Sequence, residues 1–143
     1  MSAKEFLRQA YRLDQQVKCN LAELDSLRET ASSIRSPGLE EHNNPSRPTE
    51  APFVRLLDKV WEMEEQINAE IDRLVDLKKQ IWEVINGVQN MDELMVLRYR
   101  YVLFLSWEEI AVKMNFSLRW VHTIHRRALA SAEAVMQQLG VGT

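Results

Sequence analysis

The residues best suited to chemistry lie between Ser117 and Ser131, where hydrogen-bond donors are concentrated and no acid occurs. Four polar side chains in this segment are spaced so that a helix would place them on one face: Arg119, His122, Thr123 and Arg126. Side chains of these types donate hydrogen bonds to base edges in the DNA major groove and to phosphates. The pattern therefore predicts recognition of nucleic acid.

Two further sets of residues suggest catalysis or metal binding, and each has a simpler interpretation. His122 and His125 offer two ligands where zinc takes three or four. Four carboxylates lie in a segment dense with Lys and Arg, which indicates a solvated helix face: Glu62, Glu64, Glu65 and Glu70. No Glu-x-x-His pair, phosphate-binding glycine loop or nucleophile elbow is present. We therefore expect no enzymatic activity, no metal and no cofactor.

The donor-rich face requires a helix that is held against a second, shorter one. Residues Ser106–Glu109 have the form of a capping box that opens a helix ending at Met114. Asn115 follows, where a tight turn needs left-handed backbone, and Ser117 caps the next helix. Apolar residues for a small shared core are Ile110, Ala111, Met114, Phe116, Val121 and Ile124. This order of caps, helices and turn predicts a helix-turn-helix.

A further helix is predicted immediately before this unit. Asn90–Glu93 forms a second capping box, in which Asn90 caps the helix and Glu93 reaches back to the Asn90 amide. The helix should continue to about Val102. Trp120 has two interpretations, stacking on a base or packing against the neighbouring helices, and packing is the more common role of a large aromatic on such a helix.

Two long amphipathic helices are predicted in residues 1–88. The first apolar stripe comprises Phe6, Ala10, Leu13, Val17, Leu24, Leu27, Ala31 and Ile34, with Asn20 at the interrupted position. The second starts near Pro52 and comprises Leu56, Val60, Met63, Ile67, Ile71, Leu74, Leu77, Ile81 and Val84, ending at Asn86-Gly87. Residues 36–50 are polar and broken by proline, which predicts a loop.

These features predict an all-α chain with a coiled-coil-like antiparallel hairpin over residues 1–88 and a helix-turn-helix domain over residues 89–143. The same stripes serve pairing within one chain or between two chains, so a homodimer through the long helices remains open. Net charge is −3, and the single cysteine, Cys19, cannot form an intramolecular disulfide. No signal peptide or membrane-spanning run is apparent, so a cytoplasmic location and no membrane partner are expected.

The C-terminal third resembles region 4 of bacterial sigma factors in the order and spacing of its motifs. The matching segments are Leu94–Tyr101 (LMVLRYRY), Leu105–Ala111 (LSWEEIA), Met114–Ser117 (MNFS), Val121–Ile124 (VHTI) and Arg127–Leu129 (RAL). In that family the second helix of the helix-turn-helix reads the promoter −35 element. The resemblance implies that the protein regulates transcription and binds double-stranded DNA.

By position, the resemblance places a set of residues where the family contacts bases: Leu118, Arg119, His122 and Thr123, on the helix that begins at Ser117. It places Arg126 and Arg127 near contacts to the DNA backbone or to an activator. The family commonly has Arg at the position of Leu118 and Gly at that of Asn115, so a base preference other than the ordinary −35 sequence is expected.

The chain lacks a segment similar to the region that melts the −10 element, and heptad helices occupy that place. Small phage and prophage proteins, including the ArpU-like late-gene regulators, are the closer resemblance, which implies control of phage or prophage genes with or through RNA polymerase. Two alternatives remain open. One is a DNA-recognition and oligomerisation protein of phage packaging, like a small terminase subunit, and the other is an RNA polymerase adaptor that does not bind DNA.

Overall fold

The computed structural model describes residues 1–34 and 50–142, and all regular structure in this part of the chain is helical. The helices are α1 (Ala3–Ile34), α2 (Glu50–Asn86), α3 (Met91–Leu97), α4 (Trp107–Met114) and α5 (Leu118–Leu139), with a π-helical turn (Arg98–Val102) after α3. The prediction of an all-α chain is confirmed. The predicted loop over residues 36–50 lies outside the described residues, apart from Glu50 at the start of α2. No helix among those described is long and apolar enough to cross a membrane.

The chain divides into two compact units. The first unit contains Met1–Asp14 and Arg73–Thr143, and the second contains Gln15–Asp72. Both long helices contribute to both units. The boundary predicted between residues 88 and 89 falls inside the first unit, and as a statement about domains it stays a prediction.

In the second unit, α1 and α2 contact each other through the predicted stripes. Leu24, Val60 and Ile67 form a buried cluster on which Leu27 and Met63 pack. Beside it, Asn20 Nδ2 donates to both carboxylate oxygens of Glu70, at 2.9 and 3.1 Å. Arg28 donates to Glu64 at 2.7 Å. As residue numbers rise along α1 those of the partners fall, so the contacts in this unit run antiparallel.

These contacts correct two predictions. Ile71 was expected in the stripe but is 37% exposed, because the position that meets Asn20 of α1 is taken by the half-buried Glu70. Of the four carboxylates of α2 predicted to form a solvated face, Glu62 and Glu65 are exposed as predicted, whereas Glu64 and Glu70 are half-buried and bind α1. A polar pair at an interrupted heptad position favours one register over its alternatives.

The first turns of α1 are more deeply buried than the heptad stripe predicts. Phe6 and Ala10 are buried as expected, and Ala3 and Leu7, which lie outside the stripe, are 1% and 0% exposed. A single seam covers a narrow strip of a helix, whereas α1 here lies within the larger first unit and is covered over a wider face.

The end of α2 approaches α5 closely. Val84, Ile85 and Val88 are buried around this point, and α2 ends at Asn86 as predicted. A Cβ placed on Gly87 would lie 2.5 Å from Val135 Cγ1 of α5, so the absence of a side chain at Gly87 permits the approach.

The helix that starts at Met91 continues to Val102 as predicted, but it differs from the prediction in two details. It is α-helical only to Leu97 and then widens into the π-helical turn, in which the Leu103 amide donates to the Arg98 carbonyl at 3.1 Å. Asn90 Oδ1 accepts from the Glu93 amide at 3.1 Å, as a cap should. The Glu93 carboxylate, however, accepts a hydrogen bond from the Ser131 hydroxyl of α5 rather than serving as the reciprocal half of a capping box.

Candidate nucleic-acid interface

The turn between α4 and α5 is built from local hydrogen bonds that the sequence encodes. Ser106 Oγ accepts from the Glu109 amide at 3.2 Å and donates to the Glu109 carboxylate at 3.1 Å, which fixes the start of α4. Asn115 ends α4 with φ 57° and ψ 42° in the left-handed region. Ser117 Oγ then accepts from the Trp120 amide at 3.1 Å and starts α5. The predicted caps and turn residue are confirmed.

One face of α5 is anchored in the interior of the first unit. Val121 and Ile124 join Val96 of α3 and Ile110 of α4 in a buried cluster. Half-buried apolar side chains pack around it: Tyr99, Leu105, Trp107, Ala111, Met114 and Phe116. Ala128, on the same face of α5, is fully buried. Every apolar residue predicted for the core of this region is therefore in the cluster or packed against it.

The opposite face of α5 carries the predicted donors. Arg119 and Arg126 are exposed, and His122 and Thr123 are half-buried between them. All four line one open surface depression, together with an edge of His125. The Thr123 hydroxyl donates a hydrogen bond to the Arg119 carbonyl at 3.1 Å. Arg126 Nη2 in turn donates to the Thr123 hydroxyl oxygen at 3.4 Å. The structure thus brings these four predicted site residues together.

The remaining predicted residues do not line this depression. Ser117 acts as the cap of α5 and is exposed, as are Leu118 and Arg127. Trp120 is 42% exposed and is not among the residues that form the buried cluster or pack against it. The Arg127 guanidinium lies 5.3 Å from the Trp120 ring centroid, which leaves a cation and an exposed aromatic ring adjacent on the surface.

An aromatic layer supports the depression from beneath. The Trp107 ring lies 4.8 Å from the His122 ring and 4.5 Å from the His125 ring, between centroids. The Arg100 guanidinium packs on the Trp107 ring, 4.4 Å from the ring centroid. It also donates a hydrogen bond to the Leu105 carbonyl at 2.9 Å. The π-helical turn that carries Arg100 is therefore linked through Trp107 to a residue of the donor face.

His125 has a structural role that the sequence analysis did not anticipate. It is 7% exposed, and its Nε2 is hydrogen-bonded to the Tyr101 hydroxyl at 2.7 Å. Burial, reinforced by nearby cations including Lys4 and Arg100, lowers the pKa of His125 to about 4. At neutral pH His125 therefore carries no charge, and it adds nothing to the positive charge of this segment.

The electrostatic character of the face consequently rests on arginines. Arg119, Arg126 and Arg127 are exposed, and no acid occurs from Ser117 to Ser131. The neighbouring Tyr101 also stays neutral, because burial raises the pKa of its hydroxyl to about 12. Cationic side chains and amide or hydroxyl donors on one helix face can bind phosphates and base edges. Within the described residues no three His, Cys, Asp or Glu side chains are grouped so as to hold a metal ion.

Sequence reasoning missed the contacts of the aromatic layer. Trp107 and His122 are fifteen positions apart on different helices, and neither the cap pattern nor the heptad pattern relates them. A signal that could have suggested these contacts is the density of aromatic and cationic residues between Arg98 and Trp107. No protein-family model matches the chain, and no curated protein or solved structure matches it.

Proposed function

We propose that this protein is a sequence-specific DNA-binding transcription regulator, in which α4 and α5 form a helix-turn-helix and α5 reads the major groove. The observation that carries the proposal is the division of α5 into two faces. Val121 and Ile124 are buried, while Arg119, His122 and Thr123 face outward beside Arg126. A recognition helix needs this combination, because buried anchors fix the helix while free donors contact the DNA.

The start of α5 supports the same function. Its first backbone amides lie next to exposed Leu118 and Arg119, and helix N-termini interact favourably with phosphate. Arg119 and His122 are one turn apart near that end, where side chains of a recognition helix reach base edges. Arg126 and Arg127 follow further along, in positions suited to the sugar-phosphate backbone.

In this proposal the long helices form an antiparallel hairpin that accompanies the DNA-binding part. The antiparallel contacts between Asn20 and Glu70 and between Arg28 and Glu64 favour that arrangement. The regulated genes would be those of a phage or prophage, as the resemblance to sigma region 4 and to ArpU-like regulators implies. The chain would act in the cytoplasm, where RNA polymerase is a second partner.

The test is selection of bound sequences from random duplex DNA by the purified protein at about 0.15 M salt, because phosphate contacts depend steeply on salt. The selection is repeated with the double variant Arg119→Ala, His122→Ala. A matched control, Arg55→Ala, Lys59→Ala, removes exposed cations from α2 instead.

An enriched motif that is lost in the first variant and kept in the control supports a sequence-specific regulator. No enrichment with the folded wild-type protein overturns the proposal and favours an adaptor that binds polymerase without DNA. Enrichment that both variants retain would overturn the assignment of α5 as the reader.

A further inference from the structure

A second apolar stripe runs along α2 within the second unit, beside the seam that faces α1, and one of its members, Glu64, also binds Arg28 of α1. Its apolar members are all exposed, with relative exposures of 51% for Val54, 44% for Leu57, 61% for Trp61 and 37% for Ile71. With Glu64 and Asn68 they occupy positions that alternate by steps of three and four along the helix. We call these six residues the outer stripe.

The outer stripe has the spacing of a coiled-coil seam, which requires a partner helix. The α1 helix does not fill that place in the second unit, since Leu24 of α1 packs on Val60 and Ile67 in the other seam. Scattered exposed apolar residues are ordinary on protein surfaces, but a heptad series that includes a tryptophan exposed by 61% is not scattered. We propose that the outer stripe of one copy pairs with the outer stripe of a second copy.

The polar members of the stripe are compatible with such pairing. The Glu64 carboxylate, at a seam position, is already bound by Arg28 at 2.7 Å and does not bring an unpaired charge into the interface. Asn68 is exposed and lies between Trp61 and Ile71. A single Asn at a seam position selects one register and one oligomeric state at a cost in affinity.

A second copy is the occupant that the geometry favours, because it presents a stripe of the same length and the same spacing. The four apolar side chains offer on the order of 400 Å² per copy, about half of the ~800 Å² that each partner buries in a stable interface. The stems of Glu64, Asn68 and flanking residues supply further area. The dimer should therefore be weak and reversible.

Sedimentation equilibrium of the full chain without DNA tests this inference independently of the proposed function. From about 1 μM to about 200 μM, the mass of the wild-type protein should rise from 16.7 kDa toward twice that value. Trp61→Glu should weaken association at least about tenfold, because it replaces the largest apolar side chain of the outer stripe with a charge. Asn68→Leu should strengthen association by replacing the polar seam residue.

Two further variants make the result decisive. Leu57→Glu should act as Trp61→Glu does, which covers the case in which one variant fails to fold, as judged by circular dichroism. Val112→Glu adds the same charge to a residue of α4 that is 81% exposed, and it should leave association unchanged. A wild-type protein that stays at 16.7 kDa throughout overturns the inference. A dimer that withstands both folded stripe variants overturns it as well.

Discussion

The Tyr101 hydroxyl and His125 Nε2 lie 2.7 Å apart in the interior of the first unit, and both side chains are neutral at physiological pH. Tyr101 is 5% exposed and His125 is 7% exposed, so neither polar atom has ready access to bulk water. Each satisfies the other, and together they connect the π-helical turn to α5 directly behind the donor face.

Tyr101→Phe should lower the free energy of unfolding by about 1 to 3 kcal/mol, because it leaves a buried imidazole nitrogen without its partner. Urea denaturation at pH 7 measures the loss. Tyr99→Phe is the matched control, since Tyr99 is a half-buried neighbour, and it should change stability by less than about 0.5 kcal/mol. Equal losses in the two variants would show that the hydrogen bond to His125 contributes little.

Stability should fall as pH decreases from about 6.5 to about 4. Burial lowers the pKa of His125 from 6.5 to about 4 in the folded chain, so between these values the unfolded chain binds more protons. The stability contributed by the neutral imidazole is therefore complete above pH 6.5 and lost on acidification. The urea midpoint of His125→Gln should depend less steeply on pH than that of the wild-type protein. The two proteins have the same carboxylates, so the difference between their pH profiles reports on His125. Parallel pH profiles would contradict this account.

Arg119→Ala and Arg126→Ala should affect DNA binding differently. If Arg119 makes a bidentate contact to a base, its loss should weaken binding to a selected sequence by roughly 1 to 3 kcal/mol and relax preference at one position. Arg126 should act through phosphate, so its loss should weaken all sequences alike and reduce the salt dependence. Fluorescence anisotropy on selected and random duplexes at several salt concentrations distinguishes the two. Equal losses for Arg119→Ala on both duplexes would refute the base contact.

The left-handed turn at Asn115 should tolerate glycine better than alanine. Asn115 has φ 57°, where a Cβ is unfavourable and the Asn side chain is tolerated better than most. We expect Asn115→Gly to leave the melting temperature nearly unchanged and Asn115→Ala to cost about 1 kcal/mol. Thermal denaturation followed by circular dichroism measures both. A more stable alanine variant would mean that the turn adopts a different backbone conformation.

Features encoded within one or two helix turns could be predicted from the sequence. The caps at Ser106 and Ser117 and the turn at Asn115 are each determined by a side chain that bonds its own neighbouring backbone or by local backbone preference. The buried face of α5 follows from periodicity alone. The gathering of Arg119 and His122 on the opposite face is the geometric consequence of that same periodicity.

Features that depend on contacts between distant segments could not be predicted. The exposure of Ile71 follows from the pairing of Asn20 with Glu70, fifty positions apart. The neutrality of His125 follows from its burial and from the Tyr101 hydroxyl. The widening of α3 into a π-helical turn, with Phe104 beyond it at φ 58°, has no local sequence signal that we recognise. Phe104 instead contacts residues that are distant in the sequence. The Tyr11 ring centroid lies 5.3 Å from the Phe104 ring centroid, and the Lys78 ammonium lies 5.6 Å from it.

The composition of the first unit also constrains the order in which the chain can fold. Met1–Asp14 belongs to the same compact unit as Arg73–Thr143, and the whole of Gln15–Asp72 intervenes. Contacts between segments that are this far apart in the sequence require the intervening chain to bring them together first, and such contacts slow folding. During synthesis, the apolar side chains of Phe6 and Leu7 emerge from the ribosome well before the segment that buries them. A nascent chain halted before Arg73 would therefore leave these two residues open to chaperones or to association with other unfinished chains.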